Sequence, residues 1–334
     1  DEVHDFHQPI TRGFGLNKDG EEVYLSYLPD GSPGRVVDCI RFKGQENGVT
    51  LGRYPDGADW WRATAPTRGT TNAVAGDHPV IDQIMLAPPD GTNEYVVLYN
   101  PSALPVNLWT AAGTYRIDGG IGYTFPPGTT IPYRSYLLLV PFDPTNETAM
   151  AAFNSAYDAP HLPASVYGPF EGRLSDTSER IAIEKPQLPD AAGEEASWVV
   201  VDEVIYASSP PWPTNTSATG HALLRSNADG IGNDPASWTG AAGDLMLAKI
   251  YLLEPTEGTT LIAPYNVQLK AGYDAENVCE PVVSVSFYAG TNLLYTDTTA
   301  PYEVTVDQTE LLPEGWMELR VVLTDDFGPS TSMP

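Results

Sequence analysis

VVVDEVIY at residues 199–206 is matched by RVVDCIRF at residues 35–42, and this recurrence decides the fold. Asp38 and Asp202 stand in register, with β-branched residues alternating on either side. Alternation with a period of two is typical of a strand with one buried face. The recurrence of one strand pattern at two distant places in the chain predicts two copies of one all-β unit.

The match extends in both directions from these strands. GFGLNKDGEEVYL at 13–25 aligns with FEGRLSDTSERIAI at 170–183, and GVTLGRYPDGADWW at 48–61 aligns with HALLRSNADGIGNDPASW at 221–238. The last pair of segments equates Arg53 with Arg225 and Trp61 with Trp238. Landmarks in the same order favour a true repeat, in which each Trp closes its own sandwich.

The second copy has a long front half, from Val80 to about Phe170, that the first copy lacks. We expect strands in five segments of it: VIDQIML (80–86), NEYVVLYN (93–100), TYRI (114–117), YTFPPGTTIP (123–132) and SYLLLVPF (135–142). NETAMAAFNSAY at 146–157 predicts one short helix with a Thr or Asn cap. A Gly and Ala linker is expected around 239–243. After it, LAKIYLLEP, YNVQLKAGY, VVSVSFYAG, PYEVTV and WMELRVVLTD predict a further sandwich.

Composition narrows the classes of partner. The 334 residues include 17 Lys and Arg against 44 Asp and Glu, a net charge of -27. Such acidity repels phosphate backbones and anionic lipid surfaces, so we expect no nucleic acid partner. No apolar run is long enough to cross a bilayer, so no membrane insertion is expected. The two cysteines, Cys39 and Cys279, are too few for a disulfide framework.

The ordered motifs carry a resemblance to known families. From VIDQIML through NEYVVLYNPSALPVNLW, SDTSERIAI and VVVDEVIY to GNDPASW, the chain resembles the lamin-tail domain of large extracellular bacterial proteins. VSFYAGTNLLYTDTTAPYEVTV, followed by LRVVLTDDFGPSTS, is similar to a bacterial immunoglobulin-like repeat. The resemblance implies an all-β fold of tandem immunoglobulin-like β-sandwiches, with one short helix in the middle domain.

The same resemblance implies three domains. Residues 1–73 would be a partial lamin-tail-like sandwich without its N-terminal half, and residues 79–240 a complete one. Residues 246–334 would be a bacterial Ig-like domain whose last strand is expected to be missing. Both ends are then expected to be cuts within a larger protein, unless another chain completes the missing strands.

Sequence motifs for chemistry are few. His4, His7, His78, His161 and His221 have no metal-ligand spacing, and no nucleophile elbow, Walker loop or dinucleotide fingerprint occurs. We therefore expect no enzyme activity and no required cofactor. In SNADGIGNDP (226–235), Asp229, Asn233 and Asp234 are candidate calcium ligands. The alternative is ordinary turn chemistry, in which Asn and Asp bond their own backbone.

These observations lead to one function and one alternative. We expect a non-catalytic structural or adhesive segment of a large secreted or cell-surface bacterial protein, with assembly into a filament or surface layer as one form of that role. Its partners would be other protein chains of the same assembly or cell surface. The alternative is an accessory region of a secreted enzyme that binds polysaccharide through exposed aromatics such as Trp60, Trp61 and Trp212. Aromatics in a solvent-facing row would favour that alternative, and buried tryptophans would count against it.

Overall fold

The computed structural model describes most of the chain in segments. They are residues 15–17, 19–29, 34–76, 78–88, 91–102, 104–157, 165–189, 193, 196–217, 220–242, 250–256, 259–262, 265–273, 282–307, 317–325 and 328–331. The N-terminal segment forms two antiparallel hairpins. Their strands are β1 (Gly20–Tyr27) with β2 (Arg35–Lys43), and β3 (Thr50–Arg53) with β4 (Trp61–Thr64).

The middle of the chain forms a sandwich of two main sheets, with two further two-stranded ladders. Its elements are β5 (Val80–Met85), β6 (Tyr95–Tyr99), β7 (Val106–Asn107), β8 (Trp109–Thr110), β9 (Gly113–Thr114), β10 (Arg116–Gly119), β11 (Ile121–Thr124), β12 (Thr130–Ile131), β13 (Tyr136–Leu139), α1 (Glu147–Tyr157), β14 (Val166–Tyr167), β15 (Glu171–Gly172), β16 (Ser178–Gln187), β17 (Ser197–Ala207), β18 (His221–Arg225) and β19 (Trp238–Ala242). One sheet has the order β14-β13-β6-β5-β18-β19 and the other β15-β11-β10-β16-β17. Fully buried residues of the two sheets, such as Ile84 and Leu98 against Ile181 and Val204, form its core.

Helix α1 covers the outer face of the six-stranded sheet. It buries Phe153 against Tyr95, with ring centroids 6.1 Å apart at 73°. Asn146 caps the helix, because its Oδ1 accepts the backbone N–H of Ala149 at 3.1 Å. The predicted helix is therefore confirmed. Its position also explains why β6 reads YVVLY without alternation, since both of its faces are buried.

The C-terminal part folds as a smaller sandwich with its own core. Its strands are β20 (Ile250–Glu254), β21 (Asn266–Tyr273), β22 (Ser284–Ala289), β23 (Asn292–Asp297), β24 (Glu303–Asp307), β25 (Leu319–Asp325) and β26 (Gly328–Thr331). They form the sheets β20-β21-β24 and β23-β22-β25-β26. Alternate residues such as Val285, Phe287, Val321 and Leu323 fill the space between them. The all-β fold class is confirmed.

The structure corrects two local predictions. The expected linker at 239–243 is largely strand, because β19 runs to Ala242 and pairs antiparallel with β18. YTFPPGTTIP is not one strand, because the chain turns where Thr129 N–H bonds the Pro126 carbonyl at 3.2 Å. For 239–243, the sequence does not distinguish the small residues of a linker from those of an edge strand. For YTFPPGTTIP, the proline pair interrupts the strand that its flanking aromatic and β-branched residues predict.

The two repeats share a β-bulge at the same position of their hairpins. In the hairpin β1–β2, Leu25 lies opposite Asp38 and the register shifts at the next residue. In β16–β17, Ile183 lies opposite Asp202 and the register shifts at the same place. The two bulges match the alignment residue for residue, so the repeat predicted from the sequence is confirmed for these hairpins.

The first repeat contacts the second through the end of β2. Gly44 forms a parallel bridge with Val199 of β17, which is the edge strand of the five-stranded sheet. A Cβ at Gly44 would lie 2.6 Å from the Trp198 carbonyl oxygen, closer than any real contact. Glycine is therefore required for the two backbones to approach. Further along the chain, the Tyr133 hydroxyl donates to Asp325 Oδ1 at 2.5 Å and links the middle sandwich to the last one.

We predict that Gly44→Ala separates the first repeat from the edge of β17, because the added methyl group meets a backbone oxygen that cannot move cheaply. Hydrogen exchange of the Trp198–Val200 amides should accelerate. Gly122→Ala is the matched control, since nothing lies within 4 Å of its Cβ position. Unchanged exchange in Gly44→Ala would contradict the contact.

Candidate functional site

The paired landmarks of the repeat form the same cluster twice. Arg225 Nη1 lies 2.8 Å from Asp202 Oδ2 and its Nη2 3.1 Å from Oδ1, a bidentate pair. Its guanidinium lies 5.3 Å from the ring centroid of Trp238. In the first repeat, Arg53 Nη2 lies 2.6 Å from Asp38 Oδ1, above the Trp61 ring at 4.9 Å. The sequence pairing of Asp, Arg and Trp is confirmed.

This Asp–Arg–Trp cluster joins the two sheets of the middle sandwich. Asp202 belongs to β17, whereas Arg225 and Trp238 face each other on β18 and β19 of the other sheet. Asp202 Oδ2 also accepts the backbone N–H of Ile81 on β5 at 2.8 Å. Every polar contact of the carboxylate therefore serves a cross-link, which is a structural role.

A second charged cluster lies at the contact between the repeats. The carboxylate of Glu184 on β16 is fully buried and accepts from Lys43 at 2.8 Å, Arg180 at 2.8 Å and Arg116 at 2.7 Å. Burial alone would raise its pKa, but these three cations outweigh burial and lower the pKa of Glu184 to about 2. Lys43 comes from β2, so the first repeat supplies part of the charge that this buried anion requires.

Reasoning from sequence missed the Glu184 cluster. Its signal is the regular placement of Arg180 and Glu184 among apolar residues of one strand, together with Lys43 just beyond the matched segment RVVDCIRF. Polar residues at alternate positions are normally assigned to solvent. Here Arg116 and Arg180 of the same sandwich and Lys43 of the first repeat meet over Glu184.

An open cleft of about 310 Å³ lies beside the same contact. Its polar groups bond one another across the contact: Lys185 Nζ lies 2.7 Å from Glu46 Oε2, and the Asn47 N–H donates to Gln187 Oε1 at 2.9 Å. These bonds connect the two repeats at the junction.

The predicted calcium residues lie in one loop. Asn233 Oδ1 accepts the N–H of Ile205 at 2.7 Å, and Asp234 Oδ1 accepts the N–H of Ala236 at 3.0 Å as the cap of a 3₁₀ turn. Asp229 is exposed. Asp234 thus performs the turn chemistry that was the alternative, whereas Asn233 ties the loop to β17, and calcium binding stays a prediction. Within the described ranges, no cluster of three His, Cys, Asp or Glu side chains suits a metal ion.

The aromatic residues offered for sugar binding are largely buried. Trp212 is only 8% exposed and packs against Trp238, with centroids 6.3 Å apart. Trp60 and Trp61 are half-buried, and Trp61 lies beneath Arg53. Trp212 therefore packs into the core, and its burial counts against the polysaccharide-binding alternative. Cys39 is exposed and unpaired, and Cys279, His4, His7 and His161 lie outside the described residues.

Two titratable groups lie beside the Asp–Arg–Trp cluster. Asp82 is the bulged residue of β5, and burial raises its pKa to about 6 although the Arg225 charge opposes the shift. Burial also lowers the pKa of His78, while the Asp202 charge acts in the opposite direction. The fold therefore favours the protonated form of Asp82 over its charged form.

The geometry defines a chain of all-β, immunoglobulin-like sandwiches whose most elaborate polar clusters are structural. Residues 249–321 match the family model of the bacterial Ig domain. No curated protein and no solved structure matches the chain. Among the residues that the structure describes, none belongs to a helix long and apolar enough to cross a bilayer.

We predict that the two copies of the Asp–Arg–Trp cluster contribute differently to the free energy of unfolding. Arg225 is fully buried, so Asp202→Asn leaves an uncompensated charge and should lower the free energy of unfolding by about 3 kcal/mol. Asp38 is more exposed, and Asp38→Asn should cost about 1 kcal/mol or less. Hydrogen exchange of β18 and β3 under denaturant measures both. Equal losses would contradict the difference in burial.

We also predict a pH effect of Asp82. Its pKa is about 6 in the fold and 3.8 in a model peptide, so the folded state binds more protons between these values and stability falls as pH rises through this window. Asp82→Asn should remove that slope and raise stability at pH 7 by about 1–2 kcal/mol. Urea unfolding at pH 4, 5, 6 and 7 tests this, with exposed Asp229→Asn as the control. A slope that survives in Asp82→Asn would exclude the assignment.

Proposed function

We propose that this chain is a non-catalytic structural segment of a large secreted or cell-surface bacterial protein, with its tandem sandwiches acting as spacers. The match of residues 249–321 to the bacterial Ig domain carries the proposal. Domains of this type are typically found in surface or extracellular proteins. An extracellular or cell-surface location follows as part of the same proposal.

The contacts along the chain support a spacer. The Gly44–Val199 bridge and the Lys43–Glu184 ion pair join the first repeat to the second. The bond from Tyr133 to Asp325 joins the second unit to the third. Buried, charge-assisted contacts between successive units resist bending better than a flexible linker does. Acidic sandwiches held in this way suit an extended, soluble stalk, and filament or surface-layer assembly would extend the same role.

The lamin-tail identity of residues 1–73 and 79–240 belongs to this proposal. Its support is the ordered set of motifs, together with the shared bulge and the shared Asp–Arg–Trp cluster of the two repeats. The accessory polysaccharide-binding alternative has less support, because Trp212 and Trp238 are buried. Trp109 is 44% exposed, but one such ring is not a row of stacking platforms.

Two measurements on the intact chain test the proposed function. Single-molecule pulling from the termini should give at least two separate rupture events, one for each sandwich core, as expected of a force-bearing spacer. Extension at low force without rupture would overturn the spacer role.

Co-sedimentation with cellulose, chitin and bacterial cell wall should leave the chain in the supernatant, with or without calcium, and should release no soluble sugar. Retention that Trp109→Ala abolishes would establish the polysaccharide-binding alternative instead. Retention that appears only with calcium and disappears in Asp229→Asn would assign a functional role to the predicted calcium loop.

A further inference from the structure

The hairpin β1–β2 exposes apolar side chains whose counterparts in the second repeat are buried. Leu25 is 62% exposed, whereas Ile183 at the equivalent position is fully buried. Tyr24 is 57% exposed, and its counterpart Ala182 is fully buried. Because the two hairpins share register and bulge, the difference lies in what covers them and not in how they fold.

The second repeat shows which strand pairings surround a hairpin of this type. There, β16 pairs on one side with β17 and on the other with β10, and β5 pairs with β18. In the described part of the first repeat, β1 pairs only with β2, and β3 only with β4. Among the described residues, no strand pairs with the outer edge of β1 or of β3, the sides on which the second repeat places strands of its front half.

We propose that the open edge of β1 binds an extended polypeptide segment as an antiparallel strand. The occupant is a further front half of this same sandwich type, distinct from residues 80–142 of this chain, which already complete the second repeat. The inference deepens the proposed structural role and rests on it, since a spacer built of sandwiches requires each of them to be complete.

The register of the added strand follows from the repeat. Ile117 of β10 lies opposite Ile183, and Gly119 lies opposite Ile181. The equivalent acceptor positions are Leu25 and Val23. The incoming strand therefore carries an apolar residue opposite Leu25 and a small one opposite Val23. Backbone hydrogen bonds supply affinity in strand addition, and the alternating side chains supply selectivity.

A second copy of this chain is the less suitable occupant. Its front half is already held between β16 and β18, so donation would open one sandwich to close another. Each chain also carries a net charge of -27, and like charge opposes close association of copies. Self-association is therefore an outcome that the test must detect.

A synthetic peptide of residues 112–125, which contains β10 and β11, is the probe for the full 334-residue chain. We expect fluorescently labelled peptide to bind and to slow hydrogen exchange of the Val23–Ser26 amides, and a scrambled peptide to do neither. Leu25→Asp should weaken binding at least about tenfold. Leu293→Asp is the matched control, since Leu293 is a leucine of similar exposure, 56%, on β23 in the last sandwich.

Three results would overturn the inference. They are no binding up to the solubility limit of the peptide, equal binding by Leu25→Asp and the parent chain, and concentration-dependent dimerisation in sedimentation that Leu25→Asp abolishes. The last would make a second copy the occupant. None of them alters the pulling or co-sedimentation results, so failure of this inference and failure of the proposed function are distinguishable.

Discussion

The carboxylate of Asp202 is the constraint on which the middle sandwich depends. It is almost buried, and it holds Arg225 from one side and the Ile81 N–H from the other. A buried cation without this partner would cost several kcal/mol, so the two sheets must keep the spacing that places Asp, Arg and Trp together. Asp202 is in phase with Val204 and Tyr206, which face the core, and the bulge beside it brings Val201 to the same face.

The first repeat forms the same local contacts as the second but differs from it in burial. Asp38, Arg53 and Trp61 form their cluster, and the Asn17 N–H bonds Glu21 Oε2 at 3.0 Å just as the Ser175 N–H bonds Glu179 Oε2 at 2.9 Å. The local interactions of the two hairpins are thus the same, although Leu25 is exposed and its counterpart Ile183 is buried. Turns, bulges and cross-strand contacts within a hairpin are local, whereas burial of one face depends on the elements that pack against it.

The junction between the repeats shows how a charged residue can specify an arrangement. Glu184 pairs with Arg116 and Arg180 of its own sandwich, and Lys43 of the neighbouring repeat is its third cation. The depressed pKa of this carboxyl keeps it ionised at any pH above about 4, so the junction retains its charge pairing over the physiological range. The requirement for Gly44 beside it reflects the same close approach.

The sequence alone determined the all-β class, the helix at 147–157 and the repeat, including the equivalence of Asp38 with Asp202 and of Arg53 with Arg225. These follow from period-two alternation, a capping residue and ordered landmarks, all of which are local or linear properties of the chain. Only the tertiary structure decided that Trp212 is buried, that residues 239–242 form a strand, and that Lys43, Arg116 and Arg180 meet at Glu184. Burial and charge pairing of this kind depend on which elements pack together over long sequence separations, and no local pattern records that choice.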